Sequence, residues 1–541
     1  MSDQFYSSRI DNSSGQLTGK NLEQLICEIN TLPPLNNRQQ ENVTRLMVLS
    51  KKFHDRTGIP SPQPEQVTAS TIILESGHQP NFLPHSGIFK KAFLLSCVQQ
   101  RVKKSGRPCI AFFSFADQNL STAKLLYRTH IQAVNKEGTE TFGFPIAEND
   151  RFKKFCSLPK PPIDAWLNGL EKIKKHYLAD FSKLKNQPEK NPLQLGKILD
   201  ILQKSYESAE NFAELNATIF ARICHEVFGI ELRFVLHSEL QNELLFVEES
   251  RRLLQHYRNY NQIYNQIINE KNLKIPTVHL NHLPFWYHCT CGVKIDLYAD
   301  ESNIARGECP HCYRKYALAF GQDFIRLPEY YARMDFNAVS RNIVWAEGLG
   351  DALFIPGAGG SLQYGMISDQ ITKKIGFREP LILFWRSKDY YLGLTHILIL
   401  EDISKTLSSD IYDLSRITIP EKITELMKNQ TDRISAAKST ADNDAKNLKT
   451  LKNDLNRLSN LLSTAENNFT ITPSTIDLLV NHDSQIPALW DEILNKSLIF
   501  PNGQINKIEA DVVYPSLILP GFVPEDLLRL YTSFKKSEMS I

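Results

Sequence analysis

Short apolar runs alternate with longer stretches of helical spacing through most of the chain, and together they predict an α/β protein with parallel strands. Residues 71–74 (TIIL) form the first strand-like run, closed by Ser76-Gly77. Pro80 and Pro84 then exclude helix until Gly87. Beyond it Ile88, Phe89, Ala92, Phe93, Leu95 and Val98 share one helical face, with Lys90, Lys91, Gln99 and Gln100 mostly elsewhere. Residues 109–115 (CIAFFSF) are apolar without interruption, as in a strand buried inside a parallel sheet. A long helical region over 197–228, closed by Gly229, runs into a strand over 230–237. Helical spacing returns over 242–272, where Tyr257, Tyr260, Tyr264 and Ile267 make a stripe better suited to packing than to a cofactor. Residues 352–355, 380–387 and 390–400 are further strand candidates.

The C-terminal part changes character. Pro420 suits a first helical position. Ile434, Ala441, Leu448, Leu455 and Leu462 recur every seven residues, and Ala437, Leu451, Leu458 and Ala465 follow members of that series by three, with Asp444 as an interruption. This is a coiled-coil seam. It needs a partner: a second chain in a homodimer, or a helix returning within this chain, for which residues 474–500 and 524–536 are candidates. At the other end, residues 1–20 are polar and expected to be poorly ordered, followed by helices near 22–31 and 39–55 and a proline-bearing linker at 59–66.

The totals narrow the class. With 541 residues the chain exceeds one ordinary domain. Its 62 basic and 60 acidic residues leave a net charge of +2, which argues against nucleic acid and against membrane as partners. No secretory signal opens the chain and no apolar run reaches the length of a membrane span, so a soluble cytoplasmic protein is expected. Of the nine cysteines, Cys27, Cys97, Cys109, Cys156 and Cys224 are scattered, whereas Cys289, Cys291, Cys309 and Cys312 cluster as C-x-C-G and C-P-x-C. Two knuckles presenting thiolates in pairs suit tetrahedral Zn²⁺. The first pair is closer than the usual C-x₂-C, and His288 and His311 are alternative ligands. A full set of four thiolates predicts a closed structural site, since a catalytic zinc keeps one position open. Zinc ribbons also bind nucleic acid, but this one has few surplus basic residues.

Three segments carry candidate ligand chemistry. The loop after the first strand brings His78, Gln79, Asn81 and His85 to the start of a helix, where free N–H groups and the helix dipole favour an anion or nucleotide. Similar proline-bearing turns also occur in inert domains. The second apolar strand ends at Asp117-Gln118-Asn119, and ligands of open α/β sheets sit outside the carboxyl ends of strands. Simple capping of the next helix would explain Asp117 and Asn119 as well. The third is residues 356–361 (PGAGGS), where Gly357, Gly359 and Gly360 allow close backbone approach and Ser361 is placed to cap a helix, with Arg341 upstream as a carboxylate or phosphate clamp. The spacing matches neither G-x-G-x-x-G nor a Walker A loop, and a tight turn explains the glycines equally.

The ordered set SGHQPNFLPHSGIFKK (76–91), AFFSFADQNLS (111–121), NFAELNATIFARICHEVFGIELRFVL (211–236), RNIVWAEGLGDALFIPGAGGSLQYG (341–365) and PLILFWRS (380–387), with the late coiled coil, resembles the bacillithiol-biosynthesis cysteine-adding enzymes, a family of cysteine ligases. The resemblance spans roughly residues 70–470 and implies a Rossmann-like parallel sheet core, here with an inserted zinc ribbon and a C-terminal helical coiled coil. It implies a ligase that condenses a carboxylic acid such as cysteine with an amine acceptor, with ATP or another nucleotide as a candidate cofactor beside Zn²⁺. Carried over, the resemblance puts His78, Gln79, Asn81, Asp117, Arg341 and the glycine loop 357–360 at the site. Residue chemistry then makes His78, His85, Asp117 and Arg341 the catalytic candidates and Gln79, Asn81, Asn119, Gly357, Gly359, Gly360 and Ser361 the cofactor-binding ones. The chain departs from the family in its sparser acidic cluster at 116–119 and in the ribbon itself. The corresponding division is an N-terminal extension (1–66), a core in two parts (67–280 and 323–419), the ribbon (281–322) and a C-terminal helical region (420–541). The alternative is a non-catalytic scaffold that uses the ribbon and coiled coil to hold a partner.

Overall fold

The computed structural model describes residues 19–184, 190–357, 360–439, 445–481, 485–502, 505–514 and 522–534. Its main sheet has seven strands: β1 (Ile72–His78), β2 (Cys109–Phe115), β3 (Arg233–Leu236), β4 (Leu353–Ile355), β5 (Leu381–Arg386), β6 (Ile499–Asn502) and β7 (Ile505–Glu509). Their spatial order is β6-β7-β5-β4-β1-β2-β3. All neighbours are parallel except the β6–β7 pair. From β1 the chain builds outward to β2 and β3, then returns to the opposite side of β1 to add β4 and β5.

The pleat divides the apolar residues between two cores. Ile72 and Leu74 pack with the helix Ser86–Lys104, while Ile73 packs with the cluster that holds Ile367 and Ile371 of the helix Gly360–Ile375. Helices therefore cover both faces, which is why β2 is buried along its whole length and reads as one apolar run. The tyrosine stripe at 257–264 is packing, as expected.

Several expectations change. Instead of ending at Ser76-Gly77, β1 continues to His78, pairing Gly77 with Ser114 and His78 with Phe115. The helix Ser86–Lys104 is buried nearly all round, Lys90, Lys91 and Gln99 included. The run 390–400, read as a strand, belongs mostly to the helix Leu394–Leu407, because an unbroken apolar run does not by itself separate strand from buried helix. The region 197–228 is two helices, Lys190–Ser208 and Phe212–Arg222, the second capped by the Asn211 side chain and followed by a π turn. The region 242–272 is interrupted where Leu244 and Phe246 take φ of +55° and +65°.

The heptad stretch is likewise two helices, Ile419–Ser439 and Ala445–Thr470, which pack against each other within the chain. Ile434 on one and Leu451, Leu458 and Ala465 on the other are buried, and Gln430 Nε2 donates to the Leu451 carbonyl at 3.3 Å. Ala441 and Asp444 lie outside the described residues. Among the described residues, no helix is long and apolar enough to cross a membrane.

A second, antiparallel sheet contains the strands His282–His288, Lys294–Ala299, Ile304–Glu308 and Lys315–Ala319. A fifth strand, Met334–Phe336, comes from beyond the ribbon sequence and pairs with His282–His288 at the sheet edge.

Candidate active site and metal centre

At the carboxyl edge of the main sheet lies a cavity of about 1010 Å³. It spans the junction of β1 and β4, the two strands between which the direction of sheet building reverses, where α/β proteins hold ligands. Gly77 and His78 of β1 and the following Gln79 line it on one side, and Ile355 of β4 and the following Pro356 and Gly357 on the other. Gln118 and Asn119 enter from the loop after β2, and Ser387 and Asp389 from the segment after β5. Phe469, Thr472 and Tyr531 of the C-terminal region close the remaining side. The loop 79–85 is held from below: Asn216 Nδ2 donates to the Pro80 carbonyl at 2.8 Å, and Thr129 Oγ1 to the Leu83 carbonyl at 2.9 Å.

Beneath the cavity a buried charge network joins β1, β2 and the helix Ala338–Leu349. Arg341 Nη2 donates to the Glu75 carboxylate and, at 2.8 Å, to Ser114 Oγ, which itself donates to Glu75 Oε1 at 3.0 Å. The guanidinium lies 5.0 Å from the Trp345 ring centre. Lys91 donates to the Gly77 carbonyl. Burial pulls its ammonium down to about 7; Glu75 opposes that shift and Arg341 adds to it. A second pair, Lys90 with Asp389, is also buried, and Asp389 accepts from Ser86 and from Tyr514.

Gly77 is required by this crowding. A Cβ there would lie 2.2 Å from Ser114 Oγ, 2.7 Å from the Ser114 carbonyl oxygen and 2.9 Å from Arg341 Nη2. The Gly77→Ala variant is expected to lose about 1–3 kcal/mol in a urea titration, because one of the contacts is backbone and cannot swing aside.

His78 lines the cavity with its Nδ1 3.0 Å from the Gln79 carbonyl, an arrangement in which Nδ1–H donates and Nε2 is left as acceptor. Desolvation, then the Lys91 ammonium, push its pKa down to about 3, so the ring is neutral at pH 7. A histidine depressed below its unfolded value near 6.5 contributes stability that is full above that pH and is lost as pH falls toward 3. The stability difference between the wild type and His78→Gln, followed by denaturant titration, should therefore shift against the wild type across that window.

The other predicted residues divide. His85, Gln79, Asn81, Asn119, Arg341 and Gly357 all border the cavity. His85 precedes the first turn of Ser86–Lys104, and burial lowers its pKa. Asp117 does not border the cavity. Its carboxylate accepts from the Ser238 backbone N–H at 2.9 Å and from the Ser238 hydroxyl, at the start of the helix His237–Asn242. This contact anchors the start of a helix 121 residues on in sequence rather than capping the helix that follows Asp117, and burial raises the Asp117 pKa to about 7. Gly360 opens the helix Gly360–Ile375, Gly359 lies outside the described residues, and so does the Ser361 side chain. Arg341 is held by Glu75 rather than free to clamp an anion. Sequence reading missed Glu75 beneath the cavity, and Lys90, Lys91 and His237, which line it. A charged residue in an otherwise apolar strand was the available signal for Glu75, whereas the two lysines look like an ordinary helix flank.

In the ribbon, the thiol sulfurs of Cys289, Cys291, Cys309 and Cys312 all lie within 4.8 Å of one another. Cys289 and Cys312 are 3.4 Å apart, and Cys291 and Cys309 3.5 Å. A tetrahedral zinc with bonds of about 2.3 Å calls for sulfurs about 3.8 Å apart, so this donor set fits zinc with little adjustment. The Tyr316 hydroxyl donates to Cys289 Sγ at 3.1 Å, as groups around metal thiolates commonly do. The thiolates would supply all four positions, giving a structural centre. His288 is buried and His311 exposed, and neither belongs to the cluster.

No protein-family model matches the chain, and no curated protein matches it. The resemblance to the cysteine-adding enzymes thus finds no support in those comparisons. A solved Campylobacter jejuni protein titled "putative arginyl T-RNA synthetase" aligns over 91% of this chain and 95% of its own, at 11% identity and a TM-score of 0.25. A likeness that weak carries no argument about fold or activity.

Proposed function

We propose that the cavity is the active site of a ligase-type enzyme with a Rossmann-like core, which joins a carboxylic acid to an amine through a nucleotide-activated acyl group. The observation that carries this reading is the cavity's position across β1 and β4, with the helix after β1 starting at the cavity edge and Gly357 and Tyr364 lining the cavity on the β4 side. A helix N-terminus beside that junction suits the phosphates of a nucleotide.

The chemistry is written in two steps. A carboxylate oxygen attacks the α-phosphorus of a nucleoside triphosphate, and the bond to pyrophosphate breaks. The acceptor amine nitrogen then attacks the acyl carbon, the nucleoside monophosphate leaves, and the amine's proton passes to a base. Lys91, with its pKa near 7 and its single carbonyl partner, suits that role. Neutral His78 would donate or accept hydrogen bonds without adding charge, and His85 would orient the phosphates with the helix start. The identity of the acid, cysteine included, is part of the proposal.

The test is acid-dependent exchange of labelled pyrophosphate into ATP across a panel of amino acids and other carboxylates. Exchange with one class of acid is the expected result and should be retained in Lys91→Met. Amide formation with an amine acceptor, the step that Lys91 serves, should fall at least about 100-fold in that variant. Folded, zinc-loaded protein that exchanges with none of them would remove the ligase reading. The scaffold alternative draws less from the structure, because the heptad helices already pack within the chain.

A further inference from the structure

The ribbon's edge strand Met334–Phe336 leads directly into the cavity wall: Asp335, Phe336 and Asn337 all border the cavity. Asp335 stands opposite Trp286 in the neighbouring strand His282–His288. The next residue after that strand is the thiol ligand Cys289, and the His288 N–H bonds the Arg333 carbonyl at 2.8 Å. The Asp335 carboxylate is buried at 5% exposure and pairs with Lys294, which follows the first knuckle, while His288 Nε2 lies 4.0 Å from it. Beyond Asp335, the Asn337 side chain caps the helix Ala338–Leu349, accepting from the N–H groups of Val339 at 3.0 Å and Ser340 at 2.8 Å. Arg341, one turn on, is the arginine that ties this helix to Glu75 and Ser114 under the cavity.

We infer that the ribbon is a working wall of the cavity, and that Asp335 is the positioning residue through which the metal-bearing knuckle sets the start of the Arg341 helix. A closed ribbon holds Lys294 and His288 in one geometry. That geometry fixes Asp335, and the short segment from Asp335 to Asn337 fixes the helix cap. A ribbon that had only to dock a partner would need neither a buried ion pair to this strand nor a strand shared with the cavity wall. The inference concerns the cavity and holds whether or not the reaction there is a ligation.

Hydrogen exchange read by mass spectrometry tests it without a known substrate. In zinc-loaded Asp335→Asn protein, exchange over 337–345 should rise by about tenfold or more, the response expected when a buried ion pair loses one partner. Zinc content and exchange over 289–319 should stay at wild-type values, which separates positioning from general damage to the ribbon. Removing zinc from the wild type should raise exchange over both regions. Two outcomes would overturn the inference: unchanged exchange over 337–345 in Asp335→Asn, or a zinc-removal effect confined to 289–319. If the zinc-free protein unfolds outright, the zinc-loaded variant alone still decides.

Discussion

Stripping zinc from the protein, or replacing Cys289, Cys291, Cys309 and Cys312 together by serine, should melt the ribbon sheet while the main sheet keeps its secondary structure. The expected loss is large because small metal-bound units fold on the binding free energy of the ion, about 10–16 kcal/mol in zinc-finger peptides. The ribbon has partial insurance. Cys289, Cys309, Val293 and Ile295 belong to the same apolar cluster as the helices Val247–Gln255 and Tyr257–Glu270, so part of its burial survives without metal. The distal hairpin of Ile304–Glu308 and Lys315–Ala319 carries little of that core and should go first. Elemental analysis should find about one zinc per chain in the wild type and none in the quadruple variant. Circular dichroism and thermal denaturation should show an early transition that zinc abolishes. A protein that binds no zinc, or melts identically with and without it, would contradict the assignment.

The second large effect is expected at Glu75. Its side chain is 2% exposed and holds Arg341, itself 14% exposed, in an ion pair that Ser114 shares. Glu75→Ala would leave a guanidinium without its counter-charge under the cavity, at a cost of about 3–5 kcal/mol for a buried pair broken on one side. Removing both partners should cost less than the sum of the two single changes, since Glu75→Ala combined with Arg341→Met leaves no orphaned charge. Urea titrations of the two single variants and the double variant form the cycle. Equal and additive losses would show that the pair contributes no coupling and that the network is not what joins β1 to the Arg341 helix.

The α/β character, β2 in full and the four-thiol cluster were all legible in the sequence, each for a local reason. A strand buried on both faces must be continuously apolar, and metal knuckles announce themselves by spacing. What escaped depends on neighbours distant in sequence. Gly77 looked like a strand break because its need for a missing side chain is created by Ser114 and Arg341. Lys90 and Lys91 looked solvated because their partners, Asp389 and the Gly77 carbonyl, are set by the packing of β5 and β1 against one helix. Asp117 was legible as a polar group at a strand end, but whether it faced the cavity or Ser238 depended on where the chain resumed after β3. The helix Leu394–Leu407 was misread since its apolar run, residues 397–400, is as long as a strand and its charged positions, Glu401 and Asp402, come only after it.

The central claim is that the cavity across β1 and β4 binds an anionic, nucleotide-like ligand. The most direct measurement is a thermal-shift titration with ATP, amino acids and amines, run side by side on the zinc-loaded wild type and the His85→Ala variant. A binder of the native state raises the melting temperature by mass action, by an amount equivalent to about 2.7 kcal/mol at a hundred times its dissociation constant. The account predicts a concentration-dependent rise with a nucleotide or a carboxylic acid that is lost or strongly reduced in His85→Ala. No rise with any of these compounds, or a rise that the variant retains in full, would place the ligand site elsewhere and contradict it.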